Sequence, residues 1–370
     1  MYFQTIERFT CFYYKRIFNG GLLCSITMTT EPWMITLQKV FYPLLTVIGI
    51  PSNIITFIIF WRRDCGVSPS CRCYMMAISV ADTMVIIQIV IIEMILQYHT
   101  LEPFWSRIPW CMIRDVLAYG AYNSSVWLVV CFTIERFVAI KSCHLKPKFC
   151  TRNCTLCIIA LVFICSYLFS VPYFWANESQ KLNNTERYTC VYNTHPPTPI
   201  YAEGLVWFQT TFVYIVPYII IFTLNGLILR QICQSNKVQC GMQPNHESSP
   251  SLRKLCKQKM RSVVLLVTVS MTFAYLCTTR FVTQIIIKTL HYGQERRDYT
   301  KAINVAADIG TMLDLSNTAI NMYLYACTQA RFRKELSEAG KALINLCRVS
   351  QQQKQMSVVF HISLSKCVQK

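Results

Sequence analysis

Charge is scarce in this 370-residue chain: Asp, Glu, Lys and Arg make up 15% of it, against 53% hydrophobic residues and a mean hydropathy of +0.34. A soluble domain carries charge on about a quarter of its residues, so the composition excludes one. The six histidines, at 99, 144, 195, 246, 291 and 361, all lie outside the long apolar runs. That leaves no histidine inside those runs to serve as a catalytic base or metal ligand, and argues against an intramembrane enzyme. No internal repeat is visible, and the apolar runs are interrupted only by isolated prolines, so the usual signs of a transporter are absent. The last apolar run, 302–326, holds no lysine and therefore no anchor for a retinal Schiff base. Before residue 39 there is no span-length run, and the patch from Gly21 to Cys24 is too short for a signal-peptide core.

What the chain does have is long apolar runs. Near 1.5 Å of rise per residue, about 20 residues cross a hydrocarbon core of about 30 Å. Seven runs reach that length, at Val40–Trp61, Tyr74–Gln97, Cys111–Val138, Cys154–Trp175, Ala202–Leu229, Arg261–Ile287 and Ala302–Ala326. The expected fold is an all-α membrane protein, a seven-helix bundle over 40–326. A tail over 1–39 precedes it, and a segment over 327–370 with a short cytoplasmic eighth helix follows.

The formal net charge of +18 does not point to nucleic acid, because the basic residues form no stripe interleaved with aromatics. They fall between the runs. One side has three at 62–72, five at 136–152, seven at 230–261 and eight from Arg331 onward. The other has four before residue 40, Arg107, two at 181–187 and four at 288–301. Cytoplasmic loops retain such residues, so the N-terminus is expected outside, at the plasma membrane. The sequons at Asn177 and Asn183 fall on the outer side and are glycosylation candidates. Those at Asn123 and Asn153 do not.

Most of the 20 cysteines lie in spans or cytoplasmic loops. Cys111 at the outer end of the third span and Cys190 in the second outer loop are the expected disulfide, with Cys11 and Cys24 as competing partners. Within the spans, Asp82, Ser125, Asn317 and Asn321 lie at similar depth. Polar groups in lipid are costly, so the four are expected to meet in the bundle interior, either as interhelical hydrogen bonds or as a cation site.

Asn53, Ala81-Asp82, Trp105 before Cys111, Glu135-Arg136-Phe137, Pro217 and Asn321 followed by Tyr325 resemble the rhodopsin-class G-protein-coupled receptors. Ser170 to Trp175, Val213 to Pro217, Asn225, Asp308-Ile309, Asn317 to Asn321 and Leu324-Tyr325 are similar to the orphan branch of probable G-protein coupled receptor 139. Phe332, with Arg331, Arg333 and Lys334 around it, resembles the eighth helix. The resemblance implies that Arg136 is restrained by Glu135 and then contacts a heterotrimeric G protein of the Gq/11 or Gi/o class. It implies that Asp82, Ser125, Asn317 and Asn321 hold an allosteric sodium ion, with no other cofactor, and that Tyr325 swings inward on activation. It also implies a pocket for an aromatic amino acid-like molecule or a short peptide, with Ala118, Gln209, Phe273, Cys277, Arg280 and Asp308 at or near its positions.

The departures fall in the sixth span. Cys277 replaces a tryptophan and Thr279 a kinking proline, so that helix is expected to run straight. Ala118 stands where the branch has an acid. Arg280, deep in the span, needs a carboxylate, and the readings are a ligand clamp, an interfacial anchor, or an internal acid among Asp115, Glu203, Asp308 and Asp314. Asp314 could instead extend the polar cluster.

Overall fold

The computed structural model describes residues 32–63, 65–96, 106–141, 150–181, 188–192, 198–241, 250–289 and 298–341. Trp105, Asn183, Cys11 and Cys24 lie outside the described residues, as does most of the N-terminal segment.

Among the described residues, seven helices form the bundle. α1 is Trp33–Arg62, α2 is Pro69–Val85 continued by π-helical Ile86–Ile95, and α3 is Trp110–Lys141. α4 is Arg152–Ser170, followed by a 3-10 turn at Val171–Ala176. α5 begins as Thr198–Thr210, passes through π-helical Thr211–Ile215 and continues as Val216–Gly241. α6 is Pro250–Thr289 and α7 is Ala302–Thr328. A short α8 occupies residues 330–341. Strands β1, Asn177–Lys181, and β2, Tyr188–Tyr192, form an antiparallel hairpin in which Ser179 faces Cys190.

Several helices outrun the expected spans, because their polar ends continue the backbone ladder beyond the apolar stretch. α6 begins 11 residues before the expected Arg261 and, with no proline beyond its first position, runs unbroken. α2 starts at Pro69, where Ser68 caps it by accepting from the Cys71 amide at 3.3 Å. Thr151 does the same for Cys154 at the head of α4. Both are side-chain caps with proline-compatible or polar first turns.

Six of the helices are long and apolar enough to cross a membrane among the described residues. α7 falls short of that threshold because Asp308, Asp314, Asn317 and Asn321 interrupt it. It is buried instead by its neighbours. α3 is the central helix, with 72% of its span-length window buried, whereas α4 has 28% and lies at the periphery. Leu168, Ile219, Val47 and Tyr275 present apolar surface outward, as a bundle solvated by lipid requires.

Small residues set the closest helix contacts. A Cβ at Gly49 would lie 3.2 Å from the Ala319 Cβ, so α1 and α7 touch there. Beside that contact Asn53 donates to the Thr318 carbonyl at 2.8 Å and Ser52 to that of Ala319 at 3.3 Å.

Candidate functional site

Residues 115, 118, 122, 125, 129, 132 and 136 recur at three- and four-residue steps and form one stripe down α3. Gly310, Asp314, Asn317 and Asn321 form a facing stripe on α7. Three polar layers lie between these stripes.

At the end bearing the basic residues, Arg136 pairs with Glu135, Nη2 lying 2.6 Å from Oε1 and Nε 3.0 Å from Oε2. The same Nη2 donates to the Ser70 hydroxyl on α2 at 2.9 Å, and the guanidinium lies over the Phe132 ring. Both charged residues are buried, as an interior pair with satisfied hydrogen bonds has to be. Phe137 packs against the core edge with the Lys141 ammonium over its ring. Tyr325 is fully buried between Phe60 and Phe332, and its hydroxyl meets no hydrogen-bond partner among the described residues.

In the middle layer, the Ser125 hydroxyl donates to Asp82 Oδ1 at 2.5 Å and the Asn321 amide to Oδ2 at 2.7 Å. Asn321 also reaches the Asn317 carbonyl at 3.5 Å. Asp82, Ser125 and Asn321 meet through their side chains, and Asn317 is joined to them through its backbone carbonyl. The partners found for Asp82 are neutral donors, so its charge is not balanced by a side-chain cation among the described residues. The set is oxygen-rich, and the hydroxyl and amide oxygens could ligate a hard cation; the residues fit one.

The third layer joins four helices. Arg280 Nη1 of α6 lies 2.7 Å from Asp314 Oδ2 of α7. Tyr122 of α3 donates to the same carboxylate at 2.7 Å and meets the Tyr214 hydroxyl of α5 at 3.2 Å. The Arg280 guanidinium lies over the Tyr122 ring, 5.7 Å from its centre. Among the four acids available, Asp314 is therefore the one Arg280 takes, and its charge is met inside the chain.

Farther toward Cys111, Asp308 accepts from Gln38 at 2.9 Å and Tyr299 at 2.8 Å, away from Arg280. Asp115 holds Arg114 at 3.0 Å and accepts from the Asn177 amide at 2.7 Å. The Asn177 side chain is 2% exposed. Its Nδ2, the atom a glycan would occupy, donates to Asp115. Cys111 and Cys190 form a disulfide with Cα atoms 5.6 Å apart, tying the hairpin to the head of α3. At the exposed approach to α7, the Thr300 hydroxyl and amide hold the Asp298 carboxyl below its ordinary range.

Residues 52–325 match the family described as 7 transmembrane receptor (rhodopsin family). The chain belongs to that family. It is 23% identical over 321 residues to the probable G-protein coupled receptor 142 of Mus musculus, covering 86% of this chain and 77% of that one. It is 22% identical to the sex peptide receptor of Drosophila melanogaster, over 65% of this chain and 57% of that one. For the thyrotropin-releasing hormone receptor of Gallus gallus the figures are 27%, 57% and 53%. The family is one of receptors, not enzymes.

In this receptor the pocket residues expected from the sequence do not all converge. Arg280 meets Asp314, and Cys277 is fully buried one turn before Phe281 on the same helix. Ala118 is buried one turn from Tyr122, and Phe273 one turn from Cys277. Gln209 turns to a separate chain, donating to Asn123 at 2.7 Å, which donates in turn to Ser170 at 3.2 Å. Tyr122, Tyr214 and Ser70 were missed by the sequence reading. Tyr122 could have been found, since it falls between Ala118 and Ser125 on the stripe. Ser70 and Tyr214 carry no local signal of what they meet.

Proposed function

We propose that this chain is a plasma-membrane receptor with an extracellular N-terminus, transmitting the binding of an aromatic amino acid-like molecule or short peptide to a heterotrimeric G protein of the Gq/11 or Gi/o class. The observation that carries this reading is Arg136, buried at the basic end of the most central helix and held by Glu135 and Ser70. A charge kept in that position is available to a cytoplasmic partner only after its restraints let go. Asp82, Ser125, Asn317 and Asn321 would hold a sodium ion that favours the restrained state. That ion would supply the positive charge Asp82 otherwise lacks.

Calcium and cyclic AMP responses in cells expressing the receptor, measured against a panel of amino acids and short peptides, test the reading. A saturable response that Arg136→Ala abolishes at equal surface expression is expected, with agonist affinity lower in sodium than in a bulky organic cation. Silence across the panel in both channels would remove this ligand class.

The Arg280–Asp314 pair favours a second reading, because a ligand carboxylate would have to compete with Asp314. A neuropeptide without an acidic group, or ligand-independent signalling, avoids that competition. The sex peptide and thyrotropin-releasing hormone receptors among the relatives support the peptide form. An agonist panel in which amidated peptides act and free amino acids do not would favour it.

A further inference from the structure

We propose that the Arg280–Asp314 pair, with Tyr122 and Tyr214, is a latch that holds α6 closed against α3 and α7, and that its release frees the basic-end half of α6. Its existence rests on geometry alone; only its consequence for signalling rests on the receptor reading above.

Three observations converge on one level of the bundle. The first is the network, in which one carboxylate of α7 takes Arg280 of α6 and Tyr122 of α3 at 2.7 Å each, with Tyr214 of α5 joined through Tyr122. Asp314 is 2% exposed and the two tyrosines are nearly as buried, so little water competes for these bonds. The second is backbone proximity. A Cβ at Gly310 would lie 2.8 Å from the Arg280 nitrogen and 3.0 Å from its Cα, so α6 and α7 touch where the charges pair. The third is what α6 lacks. It runs unbroken, with no proline inside it at which to hinge and with Cys277 where a large ring would otherwise fill the interior.

An unkinked helix moves as a rod. Constraining such a rod at one level constrains its far end, so the position of Arg280 relative to Asp314 sets that of the α6 segment beside the foot of α3. Below the latch, among the described residues, the side-chain hydrogen bonds joining α6 to its neighbours are neutral and run to α5: the Tyr218 hydroxyl to the Ala274 carbonyl at 2.9 Å and the Thr278 hydroxyl at 3.4 Å, and the Asn225 amide to Ser270 at 2.7 Å. The latch is the charged link, and it is the one that reaches α3 and α7. It is closed in the same conformation in which Arg136 is buried, and in the proposed latch α6 couples the two. Arg280 is the group by which the latch can be reached, its side chain a quarter exposed while Asp314 is not.

Hydrogen–deuterium exchange of the purified full-length receptor, read over the basic-end half of α6 and the foot of α3, tests the latch without any G protein. Asp314→Asn keeps the size of the side chain and removes its charge; Arg280→Gln removes the charge on α6 with a shorter, still polar side chain. Each is expected to speed exchange in those segments several-fold, and the exchanged pair Arg280→Asp with Asp314→Arg to return it toward wild type. Basal nucleotide exchange on added G protein is expected to rise several-fold in the singles and fall back in the pair. Unchanged exchange in folded Asp314→Asn and Arg280→Gln proteins overturns the latch. Faster deuterium exchange with a G protein that never responds, even to wild type, leaves the latch standing and defeats the receptor reading instead.

Discussion

Arg136 and Arg280 each meet a carboxylate in this bundle, and they do so differently. Arg136 takes the acid next to it in sequence and adds Ser70 from one other helix. Arg280 takes an acid 34 residues away, on another helix, and through Tyr122 and Tyr214 engages two more. A pair within one helix restrains a side chain, and breaking it frees the arginine without separating helices. A pair between helices restrains the helices themselves. The first arrangement suits a contact that must become available, the second a frame that must move or hold.

The contrast breaks most sharply at Asp314. Asp314→Ala leaves Arg280 and Tyr122 facing each other without their shared acceptor, and is expected to destabilise the solubilised receptor by about 3–5 kcal/mol, as for a buried pair losing one partner. Thermal unfolding of the purified protein measures it. A loss no greater than that of Glu135→Gln would mean the cross-helix pair braces nothing more than the local one. A smaller effect is expected for Ser70→Ala, which removes one charge-assisted bond, worth roughly 1.5–3 kcal/mol, from Arg136. Because α2 and α3 stay packed elsewhere, its main result should be higher basal signalling at little change in surface expression. Smallest is Asn53→Ala, which deletes a single neutral bond to the Thr318 carbonyl. That change should lower stability by only about 0.6 kcal/mol and leave basal signalling untouched.

The same contrast explains what could be read from the sequence. Glu135 and Arg136 are neighbours, so their pairing is written locally. The seven runs follow from apolar length, and their polar residues from their isolation in lipid, which is why Asp82, Ser125, Asn317 and Asn321 are expected together; the side chains of Asp82, Ser125 and Asn321 meet, and Asn317 joins through its backbone carbonyl. Arg280 announced a need for an acid, but spacing along α6 does not say which of four acids on other helices lies opposite. Asp308, on the same helix as Asp314, is drawn off by Gln38 and Tyr299, a choice made by how α1 packs. The Asn177 sequon is a local pattern, whereas the partner of its amide, Asp115, comes from α3 and is not written near it.

Helix ends were misjudged for a related reason. The apolar run stops at the lipid boundary, while the backbone ladder continues through Pro250 to Arg261 and through Trp33 to Lys39. Where hydrogen bonding and not hydrophobicity sets the limit, hydropathy does not see it.

Glu135→Gln tests the central claim most directly, because it removes the charge holding Arg136 and leaves the rest of the bundle in place. At matched surface expression, measured by calcium and cyclic AMP together without added ligand, it is predicted to raise basal G-protein signalling several-fold, and Arg136→Ala on the same background to abolish the rise. Basal signalling in Glu135→Gln equal to wild type, in a receptor that responds to some agonist, would contradict the account: Arg136 would then not be the group that the closed state withholds.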